Sequence, residues 1–119
     1  MSIIINKFET IPEKFDSGRT RQWFVNKSLG STNTAVLENY FEKGGTVPAH
    51  YHDIEEVLIC LEGNGKVIAD GKSFDFLTGF TMIIPPKVIH EIINTGEEKM
   101  RVLGVFPSTE PKGFWIDNK

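Results

Sequence analysis

Apolar and polar residues alternate along this chain in short runs, and no long stretch carries the repeat of an amphipathic helix. Val, Ile, Phe and Thr recur in these runs, while Gly, Pro, Asn and Asp break them at short spacing. That is the pattern of a β-sandwich or β-barrel. The runs predict strands at residues 3–8, 20–26, 34–41, 47–52, 57–61, 66–69, 73–76, 81–84, 89–94 and 101–106.

The breaks between runs carry their own chemistry. Asp70-Gly71 suits a tight primed hairpin turn, because both central residues tolerate positive φ. Lys43-Gly44-Gly45 lets the backbone fold sharply before the run at 47–52, and Thr95-Gly96 ends the run at 89–94. Pro85-Pro86 removes two amide donors, so the run at 81–84 must stop there. Short strands with this many turns predict a closed or nearly closed antiparallel barrel, whose closure removes exposed strand edges.

Composition narrows the class. At 119 residues the chain fits one domain spanning residues 1–119. A hydrophobic fraction of 39% with 24% charged residues is that of a globular protein rather than a disordered one. The net charge of −3, and the restriction of arginine to Arg19, Arg21 and Arg101, argue against a nucleic-acid partner. The apolar run at residues 3–5 is too short for a signal-peptide core or a membrane span. A single cysteine, Cys60, leaves no intramolecular disulfide to mark an oxidising compartment, so a cytoplasmic location is expected by default.

Histidine is where the chemistry concentrates. His50-Tyr51-His52 puts two imidazoles on one face of a strand, because residues two apart share a face. An isolated pair of this kind is more often an ordinary surface or core feature than a ligand pair. Glu56 follows after three intervening residues, and His90 lies on a later strand of its own. Should the four converge, three neutral nitrogens and one carboxylate oxygen suit Fe, Mn, Ni, Cu or Zn and serve Mg or Ca poorly. Glu55 competes with Glu56, but spacing and alternation favour Glu56.

Outward from the histidines, the first segment reads Gly44, five residues, His50, one, His52, three, Glu56, six, Gly63. The second reads Gly79, five, Pro85, one, Lys87, two, His90, three, Asn94. These segments, at about residues 44–63 and 79–94, resemble the two motifs of the cupin superfamily, and they use every histidine in the chain. Lys87 is the one departure, standing where the family usually has glycine. A lysine there is expected to cost about 1 kcal/mol if its φ is positive.

The resemblance implies a small single-domain, all-β, cupin-type β-barrel (a double-stranded β-helix or jelly roll). It implies one divalent transition metal held by His50, His52, Glu56 and His90, with open positions for a small-molecule substrate or ligand. A compact barrel is expected, since residues 64–78 leave room for one hairpin and no lid. The implied activity is that of an enzyme on a small polar or anionic metabolite, dioxygenase-type oxidation first, with isomerase, epimerase or lyase chemistry as alternatives. A noncatalytic module binding a sugar or an acid is the reading from another class. A homodimer is expected, because cupins commonly pair N-terminal strands.

Substrate-lining candidates follow by phase. With Glu56 inward, Leu58 and Cys60 share its face, and Leu37, Asn39 and Phe41 have the phase that cupins turn inward. Asn39 reads either as a group that orients substrate or as an exposed strand residue. Asn94 reads as a partner that orients the site or as a strand-end turn residue. Arg101 reads as an acid clamp or an exposed strand arginine. Cys60, Trp23 and Trp115 read more readily as packing residues. No general acid or base can be named.

Overall fold

The computed structural model describes residues 2–116. Its strands are β1 (Glu13–Phe15), β2 (Arg19–Val25), β3 (Ala35–Phe41), β4 (Thr46–Tyr51), β5 (Glu56–Glu62), β6 (Asn64–Ala69), β7 (Lys72–Leu77), β8 (Thr81–Ile84), β9 (His90–Ile93), β10 (Met100–Phe106) and β11 (Phe114–Trp115). One sheet has the order β1-β2-β3-β10-β5-β8 and the other β11-β4-β9-β6-β7, with every pairing antiparallel. Among the described residues, no helix is long and apolar enough to cross a membrane.

Alternation builds the interior. Along β10, Met100, Val102, Gly104 and Phe106 are buried while their neighbours are only partly so. The main apolar core joins Phe41, Leu58, Cys60, Met100 and Val102 of the first sheet to Val47, Val67, Ala69, Phe76 and Ile92 of the second. A smaller cluster of Ala35, Leu37 and Phe106 lies apart from it. Between the two, β10 contributes Gly104 and β3 contributes Asn39, so the interior is interrupted where polar groups enter. Each large side chain fully buried in these clusters contributes about 1.5–3 kcal/mol.

The turns follow their chemistry. Asp70 (φ 53°) and Gly71 (φ 77°) both take positive φ between β6 and β7, where Ala69 pairs with Lys72. Pro85-Pro86 ends β8 at Ile84. The β6–β7 hairpin fills residues 64–77, as the compact spacing requires.

One expectation is corrected. Residues 3–8 form no strand. Instead Asn6 accepts a hydrogen bond from the Phe8 amide (3.0 Å) and caps a single 3₁₀ turn at Lys7–Glu9, local bonding that competes with extended pairing. The turn leans on β2, where Gln22 Nε2 donates to Thr10 Oγ1 at 2.8 Å. The short strands β1 and β11, too brief for any periodicity to reveal, were not foreseen. β1, β8, β7 and β11 stand at sheet edges, which fits a nearly closed barrel, and the first and last of them span only three and two residues.

Lys87 has φ 68°, in the left-handed region, while its amide donates to the His52 carbonyl at 2.7 Å. Glycine would keep that bond and relieve the strain, offset in part by its greater freedom when unfolded. Lys87→Gly is therefore expected to stabilise the protein by about 0.5 kcal/mol. Chemical denaturation with both midpoint and slope fitted would check this, and a destabilised variant would contradict it.

Candidate metal centre

Three strands and the residue after one of them deliver the four candidate side chains to one place. His50 lies on β4, His52 one residue beyond it, Glu56 at the start of β5 and His90 at the start of β9. His50 and His90 are directly opposed across β4 and β9. The β4–β9 register slips between Val47 and His50, which turns both of these residues inward although they are three apart. Exposed Pro48 sits in that irregularity, where its missing amide leaves no ladder bond unmade.

Their ligating atoms all lie within 4.8 Å of one another, and all four side chains are nearly or fully buried. The ring centroids of His50 and His90 are 4.3 Å apart, and those of His50 and His52 are 4.9 Å apart. Glu56 Oε1 stands 3.2 Å from His90 Nε2 and 3.5 Å from His52 Nε2. Glu55, the competing carboxylate, is exposed.

Tautomer state follows from the outer nitrogens. His50 Nδ1 lies 2.8 Å from the Pro48 carbonyl, His52 Nδ1 2.9 Å from the Lys112 carbonyl and His90 Nδ1 2.9 Å from the Val88 carbonyl. A carbonyl only accepts, so each Nδ1 must donate and each neutral ring keeps its lone pair on Nε2. Burial, reinforced by His90, lowers the His50 pKa to about 3, so this ring is neutral at ordinary pH. Three lone pairs and a carboxylate thus face one another without a donor between them. This group is positioned to bind a metal, and its nitrogen-rich donor set fits a divalent transition ion.

Gly104 makes the arrangement possible. A Cβ at this position of β10 would lie 2.7 Å from Glu56 Oε2 and 3.4 Å from Leu37 Cδ1. Glycine within a strand often marks such a close approach, but nothing in the local pattern identifies what approaches.

Three of the four, His50, His52 and Glu56, line one wall of a cavity of about 110 Å³, with His90 buried behind them. Trp23, Leu37, Phe106 and Trp115 give that cavity apolar walls, and Arg19, Arg21 and Asn39 give it polar ones. Of the substrate-lining candidates, Asn39 borders it. Leu58 and Cys60 do face inward, but they lie deeper, in the main apolar core, where burial raises the thiol pKa. Asn94 is occupied elsewhere, its amide donating to the Phe41, Glu42 and Glu98 carbonyls while its oxygen accepts from the Gly96 amide. Arg101 points to the opposite face, paired with Glu38 (2.6 Å) and Glu62 (3.5 Å). Neither Asn94 nor Arg101 borders the cavity.

Sequence reasoning missed Arg19 and Arg21 as lining residues and discounted Trp23 and Trp115. Strand alternation held the signal for three of them: 19, 21 and 23 share one face of β2, opposite Phe41, Asn39 and Leu37 of β3. Trp115 rests on β11, where it pairs with His50.

Adding a methyl group at Gly104 should displace the Glu56 carboxylate. Gly104→Ala is expected to weaken metal affinity by about 10–100-fold, the usual effect of disturbing groups that support ligands. Competition against a chelator of known affinity would measure this, with circular dichroism confirming the fold. Unchanged affinity in a folded variant would contradict the role given to Gly104.

Comparison with known proteins agrees with this geometry. The chain is 32% identical over 100 residues to auxin-binding protein T92 of Nicotiana tabacum, a match covering 75% of this chain and 54% of that protein. It spans about half the length of the first curated relatives it matches. A solved polyketide cyclase, RemF of Streptomyces resistomycificus, superposes with a TM-score of 0.83 at 18% identity, over 100% of this chain and 88% of that one. Oxalate decarboxylase of Bacillus subtilis, in a structure concerned with its Mn(II) centres, gives 0.85 at 19% identity, over 92% of this chain and 31% of that one. The cupin domain profile matches residues 39–106, more than half of the sequence and the part that carries His50, His52, Glu56 and His90; the chain belongs to the cupin family.

Proposed function

We propose that this cupin holds one divalent transition metal through His50, His52, Glu56 and His90 and acts as an enzyme on a small polar or anionic metabolite, with dioxygenase-type oxidation as its chemistry. The observation that carries the reading is the convergence of three imidazole Nε2 atoms, their Nδ1 atoms each held by a carbonyl, and one carboxylate at the wall of a small cavity that His50, His52 and Glu56 line. Bound there, a divalent ion supplies Lewis acidity toward a ligand oxygen and, if it is iron, copper or nickel, access to dioxygen chemistry.

The chain's own part is positional. The Pro48, Lys112 and Val88 carbonyls fix the three rings, and Glu56 brings the negative charge that lowers the net charge of the site. The two tryptophans, Leu37 and Phe106 shield one side of a ligand from water. Manganese is a reasonable occupant given the Mn(II) centres of the bacterial oxalate decarboxylase, and manganese or zinc would favour isomerase, epimerase or lyase chemistry.

A noncatalytic binding module is the second reading, and one observation favours it. Among the described residues, the only ionisable side chains on the cavity wall besides the candidate ligands are Arg19 and Arg21, and guanidinium groups are not among the usual general acids and bases.

Elemental analysis of protein purified without chelator is expected to give stoichiometric metal, falling to traces in His90→Ala. Oxygen uptake with catechols, diketones and enediols then separates the classes. Uptake supports the dioxygenase reading. Ligand-induced thermal stabilisation without turnover supports the binding module. Wild-type protein that takes up no transition metal would overturn both.

We further propose a homodimer in a cytoplasmic setting, the latter consistent with a lone, buried, unpaired cysteine. In support of the dimer, Ile4, Phe8 and Ile11 are 97%, 85% and 87% exposed, an apolar stretch that a second copy could cover. Sedimentation is expected to show a dimer at micromolar concentration and a monomer for the double variant Ile4→Asp, Phe8→Asp. A wild-type monomer would contradict this.

A further inference from the structure

Arg19 is charged where stability alone would not place a charge. It is 5% exposed, yet among the described residues no carboxylate lies within ion-pair distance of it. The other two arginines are more exposed and both are paired, Arg21 with Glu13 at 3.0 Å and Arg101 with Glu38 at 2.6 Å. Buried charge ordinarily demands a partner and surface charge does not. Here the order is reversed.

What surrounds Arg19 orients it without neutralising it. Nη1 donates to Asn39 Oδ1 at 3.2 Å, and Nε is buried with no acceptor. The Phe15 ring lies 4.0 Å from Cζ and the Trp115 ring 5.9 Å, which fixes the guanidinium through aromatic contact. Burial and the neighbouring Arg21 lower the Arg19 pKa to about 10, so the group remains a cation at neutral pH. Glu13 is taken up by Arg21, and Glu56 by the histidine group. The cavity wall therefore presents one uncompensated positive charge.

We infer that the cavity takes a small carboxylate, its charged end on the Arg19 guanidinium beside Asn39 and its other end reaching toward His50. This rests on the reading of the cavity as a ligand site and deepens it by naming the ligand's chemistry. A planar carboxylate matches the fork of a guanidinium, and a single free cation matches a single negative charge. The indole of Trp115 lies 4.9 Å from the His50 ring and also borders Arg19, so a ligand only a few atoms long connects the two. The walls of Trp23, Leu37 and Phe106 suit an apolar or aromatic body between them.

The test is calorimetry on the full chain as purified, its metal content measured in parallel. Benzoate, 4-hydroxybenzoate and mandelate serve as probes, each against its neutral amide, with inorganic phosphate as a second anion. At least one acid is expected to bind at least tenfold more tightly than its amide and than phosphate. Arg19→Gln is expected to lose at least tenfold in affinity for that acid, and Arg19→Lys to lose less. Asn39→Asp supplies the missing counter-charge within the protein, so it should match or exceed the wild-type thermal midpoint while also losing tenfold or more. That variant carries the test even if Arg19→Gln fails to fold. No binding by any acid, equal binding of acid and amide, tighter phosphate, or undiminished acid binding by Asn39→Asp would overturn the inference. The two readings separate cleanly: Arg19-dependent binding by protein that holds no metal refutes the metal reading alone, and metal-loaded protein that binds acids independently of Arg19 refutes this one alone.

Discussion

Four hydrogen-bond acceptors facing one another inside a protein repel, and the interior of this cupin is organised around holding them together. With the outer nitrogens donating to carbonyls, neutral rings leave no donor among the Nε2 atoms of His50, His52 and His90 and the Glu56 carboxylate. Their convergence is imposed from behind, by three carbonyls that hold the outer ring nitrogens. Those carbonyls come from the irregularity in β4, from the turn before β9 and from the segment before β11. A fold that delivers three such carbonyls at the right angles is what makes the cluster possible, and a cation is what makes it comfortable.

Departures from regular structure gather at the same place. The register slip in β4 puts His50 inward, the left-handed backbone of Lys87 prepares the approach to His90, and the bare Gly104 leaves space for Glu56. Each is unfavourable or unhelpful to a strand or turn considered alone. Irregularities of this kind persist where surrounding structure over-determines them, and they concentrate at functional sites.

The legible part of the sequence was what strand period and turn chemistry encode. The nine runs from residue 20 onward became β2 to β10 with small shifts at their ends, and Asp70-Gly71 and Pro85-Pro86 behaved as their backbone restrictions require. The spacing of His50, His52, Glu56 and His90 was also visible, and the side chains do come together. What escaped depended on partners distant in sequence. Whether Ile3 to Phe8 extends depends on finding a neighbouring strand, and none is there. Whether an inward residue lines the cavity or the core depends on its depth, which separates Asn39 from Leu58 and Cys60 although the period treats them alike. Arg101 and Arg19 lie on strands of one sheet, and only the assembled sheet shows that they face opposite sides.

The hold on His52 differs in origin from the other two. His50 and His90 each lean on a carbonyl two residues earlier in their own chain segment, whereas His52 depends on Lys112, sixty residues away. Two of the imidazoles are thus wired locally and change only if their own strands change. The third has its basicity set by a connecting loop, the part of a fold that evolution alters most freely. A change in that loop would alter the hold on His52 without replacing any of the four candidate ligands.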